Sequence, residues 1–154
     1  MTSDSLNKIM VAYESIAQMM QASADKAVES ASERFGFSLD YSEATLEQLE
    51  TIVTNVAAEL STGDDKNKAE YETKLWGSYF GEVIRRRWEG NWDLATYPGS
   101  AVTVPAILVH EAQLFPLVKV YRRLSLGDAE NLWLYYQKIR PRLSNVLPID
   151  GSAS

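Results

Sequence analysis

"LWGSYFGEVIRRRW" (Leu75–Trp88) decides how the rest of the chain is read. Leu75, Trp76, Tyr79, Phe80, Val83, Ile84 and Trp88 recur with a period near 3.6, which predicts a helix from about Lys66 to Trp88 with a broad apolar face. Gly77 and Gly81 border that face one turn apart. Each glycine costs about 1 kcal/mol against alanine in a helix interior, so something local has to offset the pair. Another backbone passing close across a groove without side chains would do so. A membrane-type GxxxG dimer is set aside, because the surrounding chain is charged. The stretch reads as a packing helix rather than a catalytic segment.

Its three arginines invite a nucleic-acid reading that geometry disfavours. Successive helix residues lie ~100° apart, so Arg85, Arg86 and Arg87 fan around the axis instead of lining one face. They sit near the helix C-terminus, where the dipole favours cations. Arg122–Arg123 and Arg140 with Arg142 repeat the arrangement at two later helix ends. Glu82 stands at i−3 and i−4 from Arg85 and Arg86, the spacing of helix ion pairs. It reads either as half of a surface ion pair or as a partly buried carboxylate beside the glycine groove, holding a polar loop or ligand.

Upstream, Leu6, Ile9, Tyr13, Ile16 and Met20 follow a helical step that Ala24, Ala27 and Ala31 extend, and Gly36 stops it. Core packing is expected for this stripe; a seam between two copies is the alternative. A second helix follows, with Ser42 or Asp40 as its N-cap and Leu46, Leu49, Ile52, Val53, Val56 and Leu60 as its buried stripe. Ser61–Lys68 is the polar loop that ends it.

Downstream, Gly90–Asn91 is a turn signal and the period changes. "NWDLATY" is short and extended, "PGS" is a turn, and "AVTVPAILVH" is a β-branched strand in which Pro105 indicates an edge position or a bulge. "EAQLF" returns as a further strand. Pro116 opens a fourth helix that Gly127 ends. Asp128 caps a fifth, which Pro141 closes or kinks. The expectation is a single α+β domain over residues 1–147: about five helices packed with a small two- or three-stranded antiparallel sheet. Residues 148–154 are expected to form a loose tail.

Composition bounds the function. The chain has 154 residues, enough to bury a core without disulfide or metal support, and no cysteine, so thiolate chemistry is excluded. Its formal net charge of −6 is unevenly spread. Residues 1–75 carry 14 acids and 6 bases, whereas residues 76–154 carry 7 acids and 9 bases. An acidic first half disfavours nucleic acid and anionic lipid; solubility explains it, and a basic protein partner is the alternative. "MTSDSLNKIM" lacks the basic leader and apolar run of a signal peptide, and no apolar run approaches the ~20 residues needed to span a bilayer. A cytoplasmic protein is expected.

The search for chemistry returns little. His110 is the one histidine. Strand neighbours point to opposite faces, so His110 and Glu111 do not form an acid–base pair, and a turn histidine is expected. There is no G-x-S-x-G elbow, Walker loop or dinucleotide fingerprint. Asp64–Asp65 is too small a cluster for a cation site. No catalytic residue, cofactor or metal is assigned. Most tryptophans belong to the core by their spacing. Trp88 and Trp92 flank a turn and Tyr97 adjoins "PGS", positions where an aromatic can be exposed and anchor an interface.

The quoted stretch also carries a resemblance. Leu75-x-Gly77-x-Tyr79-x-Gly81-Glu82-Val83, then Trp92 after a turn, then "LFPLVKVYRRLSLG" (Leu114–Gly127), resembles a loose pattern in small uncharacterised bacterial proteins. "LDYSEATLEQLE" (Leu39–Glu50) is similar to the helix upstream in that pattern. The match spans roughly residues 37–136 and leaves the first helix outside. Some of those proteins resemble immunity proteins that neutralise protein toxins. The resemblance implies a fold and a non-enzymatic inhibitor, and supplies no catalytic residue. Three functions are carried forward. The first is an immunity-type inhibitor with an acidic surface. The second is a small-ligand binder or enzyme whose pocket uses Tyr79, Glu82, Arg85 or Arg86, and His110. The third is a homodimer through the first helix.

Overall fold

The helix from Lys66 to Trp88 forms the axis of the molecule in the computed structural model, which describes residues 15–145. In chain order the described elements are α1 (Ile16–Ser30), a π-helical turn (Ala31–Phe35), α2 (Thr45–Ser61) and α3 (Lys66–Trp88). Strands β1 (Asn91–Thr96), β2 (Thr103–Val109) and β3 (Ala112–Leu114) follow, then α4 (Pro116–Leu126), a 3-10 turn (Asp128–Glu130) and α5 (Leu132–Asn145). The architecture is α+β, as expected. Leu6, Ile9 and Tyr13 of the first stripe, and the 148–154 tail, lie outside the described residues.

The apolar face expected on α3 is wider than a face. Every residue from Leu75 to Ile84 is buried, including Ser78, both glycines and Glu82. A helix buried all round is a core helix with neighbours on every side. α1 packs along it with Met20, Ala24, Ala27 and Ala31 buried, so the described part of that stripe is covered within the chain. α4 crosses it on another side, and α2 and β2 also contact it.

The glycine groove exists, and its two positions are filled differently. At Gly77 a Cβ would lie 2.8 Å from the Leu117 Cα, so there the backbone of α4 makes the close approach. At Gly81 a Cβ would lie 2.3 Å from the Trp92 indole and 2.9 Å from the Pro116 ring. Pro116 occupies the first turn of α4, where its missing N–H removes no helical bond.

The sheet is antiparallel with order β1-β2-β3. Register places Trp92 opposite Ile107, and Ile107 opposite Leu114. Directly paired residues share a face, so this row is turned inward together and the Trp92 indole reaches Gly81. β3 pairs only with Ile107–Val109. At Pro105, therefore, β2 is flanked by β1 alone, and the residue lacking an N–H lies where one side of the strand is unpaired.

Several local expectations are corrected. Neither Asp40 nor Ser42 caps α2: Asp40 accepts from the Ser42 amide in a tight turn, and the helix begins after Ala44 with no side-chain cap. Asp128 does not cap α5; it binds Arg123, and Asn131 accepts from the Leu134 amide instead. Pro141 does not close α5, which continues to Asn145. At the end of α3 the left-handed cap falls on Glu89 (φ 52°), directly before the Gly90–Asn91 pair. Gly90 serves a different need, since a Cβ there would meet Ile107 at 2.9 Å.

Candidate functional site

Glu82 is fully buried, not part of a surface ion pair. Its Oε1 accepts from Arg85 Nη2 and Arg86 Nε, each at 3.0 Å. Its Oε2 accepts from Arg85 Nε at 2.6 Å and Trp92 Nε1 at 2.7 Å. Each oxygen therefore has two donors, which fills a carboxylate's in-plane acceptor sites. Burial pushes the carboxyl pKa up, but the bonds from Arg85, Trp92 and Arg86 outweigh it and hold Glu82 below its ordinary value. An ionised carboxylate with no spare lone pair is a clasp between α3 and β1. It is poorly suited to act as a general base.

Tyr79, the second pocket candidate, is also fully buried. The Thr45 hydroxyl donates to the Ser42 carbonyl at 2.6 Å, so the 2.6 Å contact between Tyr79 and Thr45 is donated by Tyr79. The Tyr79 oxygen in turn accepts from the Tyr41 amide at 2.9 Å. Burial raises its pKa above the ordinary tyrosine value. Tyr41, which sequence reasoning missed, stacks on Tyr79 with ring centroids 5.0 Å apart and has a left-handed backbone, φ 68°.

The arginines of α3 end in two linked clusters. Arg86 lies over the Tyr41 ring at 3.6 Å while its Nε holds Glu82. Arg87 Nε donates to Glu43 at 2.8 Å, and Arg140 reaches the other oxygen of Glu43 at 3.3 Å. Beside them opens a hollow of about 740 Å³ lined by Arg86, Arg87, Trp88, Glu89, Asn91, Leu108 and His110. It gathers Arg86, Trp88 and His110 from the sequence candidates. His110 is an exposed turn residue, as expected, at φ 55° in the two-residue hairpin between β2 and β3.

The remaining candidates lie elsewhere. Trp92 is no exposed anchor: it is 7% exposed, packed on Gly81 and bonded to Glu82. Tyr97 is half-buried, edge-on to Phe115, and lines a second hollow with Lys119, Arg122, Glu130 and Tyr135. There Lys119 and Arg122 converge on Glu130, and their hydrogen bonds hold its carboxyl below the ordinary glutamate value.

Two buried charge clusters went unread in the sequence. Glu72 accepts from Arg34 on both oxygens and from Trp76 Nε1 at 2.8 Å, a second carboxylate clasped by an arginine and an indole. Its one local signal is the i,i+4 spacing of Glu72 and Trp76. Arg123, 2% exposed, donates to Glu50, Thr54 and Asp128. The other oxygen of Glu50 accepts from the Leu132 amide, so one ion pair joins α2, α4 and the start of α5.

Among the described residues no group of three His, Asp or Glu side chains is placed to hold a metal ion, and no helix is long and apolar enough to cross a membrane. No protein-family model, curated protein or solved structure matches the chain.

Proposed function

We propose that the protein is a non-enzymatic binding protein that presents an acidic surface to a basic protein partner, in the manner of an immunity-type inhibitor of a protein toxin. One observation carries the reading. Seven arginines, 34, 85, 86, 87, 122, 123 and 140, are each bound to a carboxylate of the chain itself. Glu29, Glu33, Glu47, Asp64 and Glu70, by contrast, are exposed and have no ion-pair partner among the described residues. Asp25, Asp40, Asp65, Glu89, Asp93 and Glu111 are likewise exposed without an ion pair, against Lys26, Lys66, Lys68, Lys74, Lys138 and Arg142, so the unpaired surface charge of the described residues is negative on balance. Such a surface steers a cationic partner and repels polyanions. The saturated Glu82 and the buried Tyr79 favour this reading over a pocket built on them.

The test begins with affinity capture from the organism that carries the sequence, followed by mass spectrometry. The captured partner is then purified and its affinity measured against salt. The expected result is a basic partner whose binding weakens as salt rises and is lost in a Glu29→Lys/Glu33→Lys variant. Co-expression that rescues growth from a toxic partner supports the immunity version. Binding that is indifferent to both salt and charge reversal rejects the acidic surface.

A further inference from the structure

The hollow at the end of α3 combines features that the acidic-surface reading does not use. Four guanidinium groups, Arg85, Arg86, Arg87 and Arg140, share only two carboxylates, Glu82 and Glu43. This leaves a local surplus of positive charge in a chain whose formal net charge is −6. Two of the four line the hollow, and both are fixed in place. Arg86 is held by Glu82 through Nε and by stacking on Tyr41. Arg87 is held by Glu43 through Nε and lies 4.9 Å from the centre of the Trp88 ring. In each case the internal partner uses Nε, and neither Nη of either arginine has a hydrogen-bond partner among the described residues. Guanidinium groups already ordered, with both Nη groups free, lose little entropy on taking a further acceptor. The hollow is also lined by His110 and Asn91, both exposed, and by Leu108. Glu89 and the carbonyl end of α3 oppose an anion here, so the surplus is needed.

We propose that this hollow binds the phosphoryl group of a small molecule, with Arg86, Arg87, His110 and Asn91 as donors and Trp88 and Leu108 as the apolar wall. A phosphoryl group fits better than a carboxylate because the donor residues that line the hollow belong to three separate elements, α3, β1 and the β2–β3 hairpin. Three terminal oxygens can meet donors from several directions, whereas the two coplanar oxygens of a carboxylate match a single fork. The volume of the hollow leaves room for the body that carries the phosphate.

The experiment is a titration of the full-length protein with inorganic phosphate, followed by amide NMR shifts, with acetate and chloride arms at matched ionic strength. The expected result is saturable shifts confined to residues 86–91 and 108–110, with phosphate binding more tightly than acetate. His110→Asp places a carboxylate at a left-handed position that aspartate tolerates, and it breaks no bond of the fold. It should weaken phosphate at least about tenfold with an unchanged melting temperature. Asn91→Asp, at the exposed start of β1, serves as a second variant and should act in the same direction. A linear drift shared with chloride means general screening and overturns the site. Acetate binding more tightly than phosphate, or both variants binding phosphate like the wild type, overturns the assignment.

Discussion

The Trp92 indole occupies the space a side chain at residue 81 would take, so that a Cβ on Gly81 would come within 2.3 Å of it. The same indole donates its Nε1–H to Glu82, the next residue along α3. One strand residue thus fills a gap in the helix with its ring and hydrogen-bonds a buried charge with its edge. The glycine makes room for the ring, the ring places the donor, and the donor joins Arg85 and Arg86 in keeping the carboxylate ionised in the core. Gly81, Glu82 and Trp92 form one unit, and a change in any of them is expected to disturb the other two.

Gly81→Ala is expected to destabilise the protein by about 1–3 kcal/mol through overpacking, despite a gain of about 1 kcal/mol in helix propensity. The indole is rigid and its Nε1 is anchored, so it cannot yield cheaply. Gly81→Leu should cost more. Gly77→Ala should also destabilise, because its clash is with the Leu117 backbone. Gly63, with nothing within 4 Å of its would-be Cβ, is the control. Urea melts check all four; an unchanged midpoint for Gly81→Ala would remove the close-packing account of the glycine pair.

Glu82→Gln is expected to lower stability by about 3 kcal/mol, the low end for breaking a buried ion pair, because Arg85 and Arg86 are 25% and 39% exposed and regain water. The pH dependence has a fixed sign. The folded carboxyl titrates below its ordinary value of 4.5, so in the acid range the unfolded chain binds the proton first. The stabilisation is fully present above pH 4.5 and is lost as pH falls through the folded pKa. The difference between wild type and Glu82→Gln, measured by denaturation from pH 7 to pH 3, should therefore shrink on acidification. A difference that stays constant or widens contradicts the clasp.

The fold was legible wherever a residue's role depends on near neighbours. The 3.6 period of residues 75–88, the β-branched run around Pro105 and the left-handed stop at Gly36 are all local, and α3, β2 and the end of the π-helical turn follow from them. The site was less legible, because burial of a polar group is settled by distant partners. Trp92 beside a turn looks exposed until the register with Ile107 turns it inward. Arg123 looks like its neighbour Arg122 until α2 brings Glu50, 73 positions away, against it. Asp40 and Asp128 have the chemistry of helix caps, but the chain uses them one turn early or on another partner.

The neighbouring arginines of α4 provide a contrast. Arg122 is 47% exposed and pairs with Glu130 at the surface, where water screens the pair, so Arg122→Met should leave the melt nearly unchanged. Arg123 is 2% exposed, and removing it takes the only cation from Glu50 and leaves that carboxylate with the Leu132 amide and a long bond from Thr54. Arg123→Met, which keeps the aliphatic stem, should cost about 3–5 kcal/mol. Paired guanidinium melts measure the gap. Equal effects would mean that the Leu132 amide and the Thr54 hydroxyl suffice to hold Glu50, and that the ion pair adds nothing to the junction of α2, α4 and α5.

Tyr79→Phe isolates a single hydroxyl. The ring stays in the core and keeps its stack on Tyr41, but the Tyr41 amide loses its acceptor and the Thr45 oxygen its donor. Leaving such groups unpaired costs about 1–3 kcal/mol, and the left-handed Tyr41 then loses one of the contacts that hold its φ of 68°. Arg86 rests on the Tyr41 ring, so the disturbance should reach the end of α3. The expected outcome is a lower urea midpoint with an unchanged denaturant slope, together with amide shifts at residues 40–45 and 86. A full loss of stability with no shift at Arg86 would separate the hydroxyl relay from the arginine cluster and confine Tyr79 to anchoring the entry to α2.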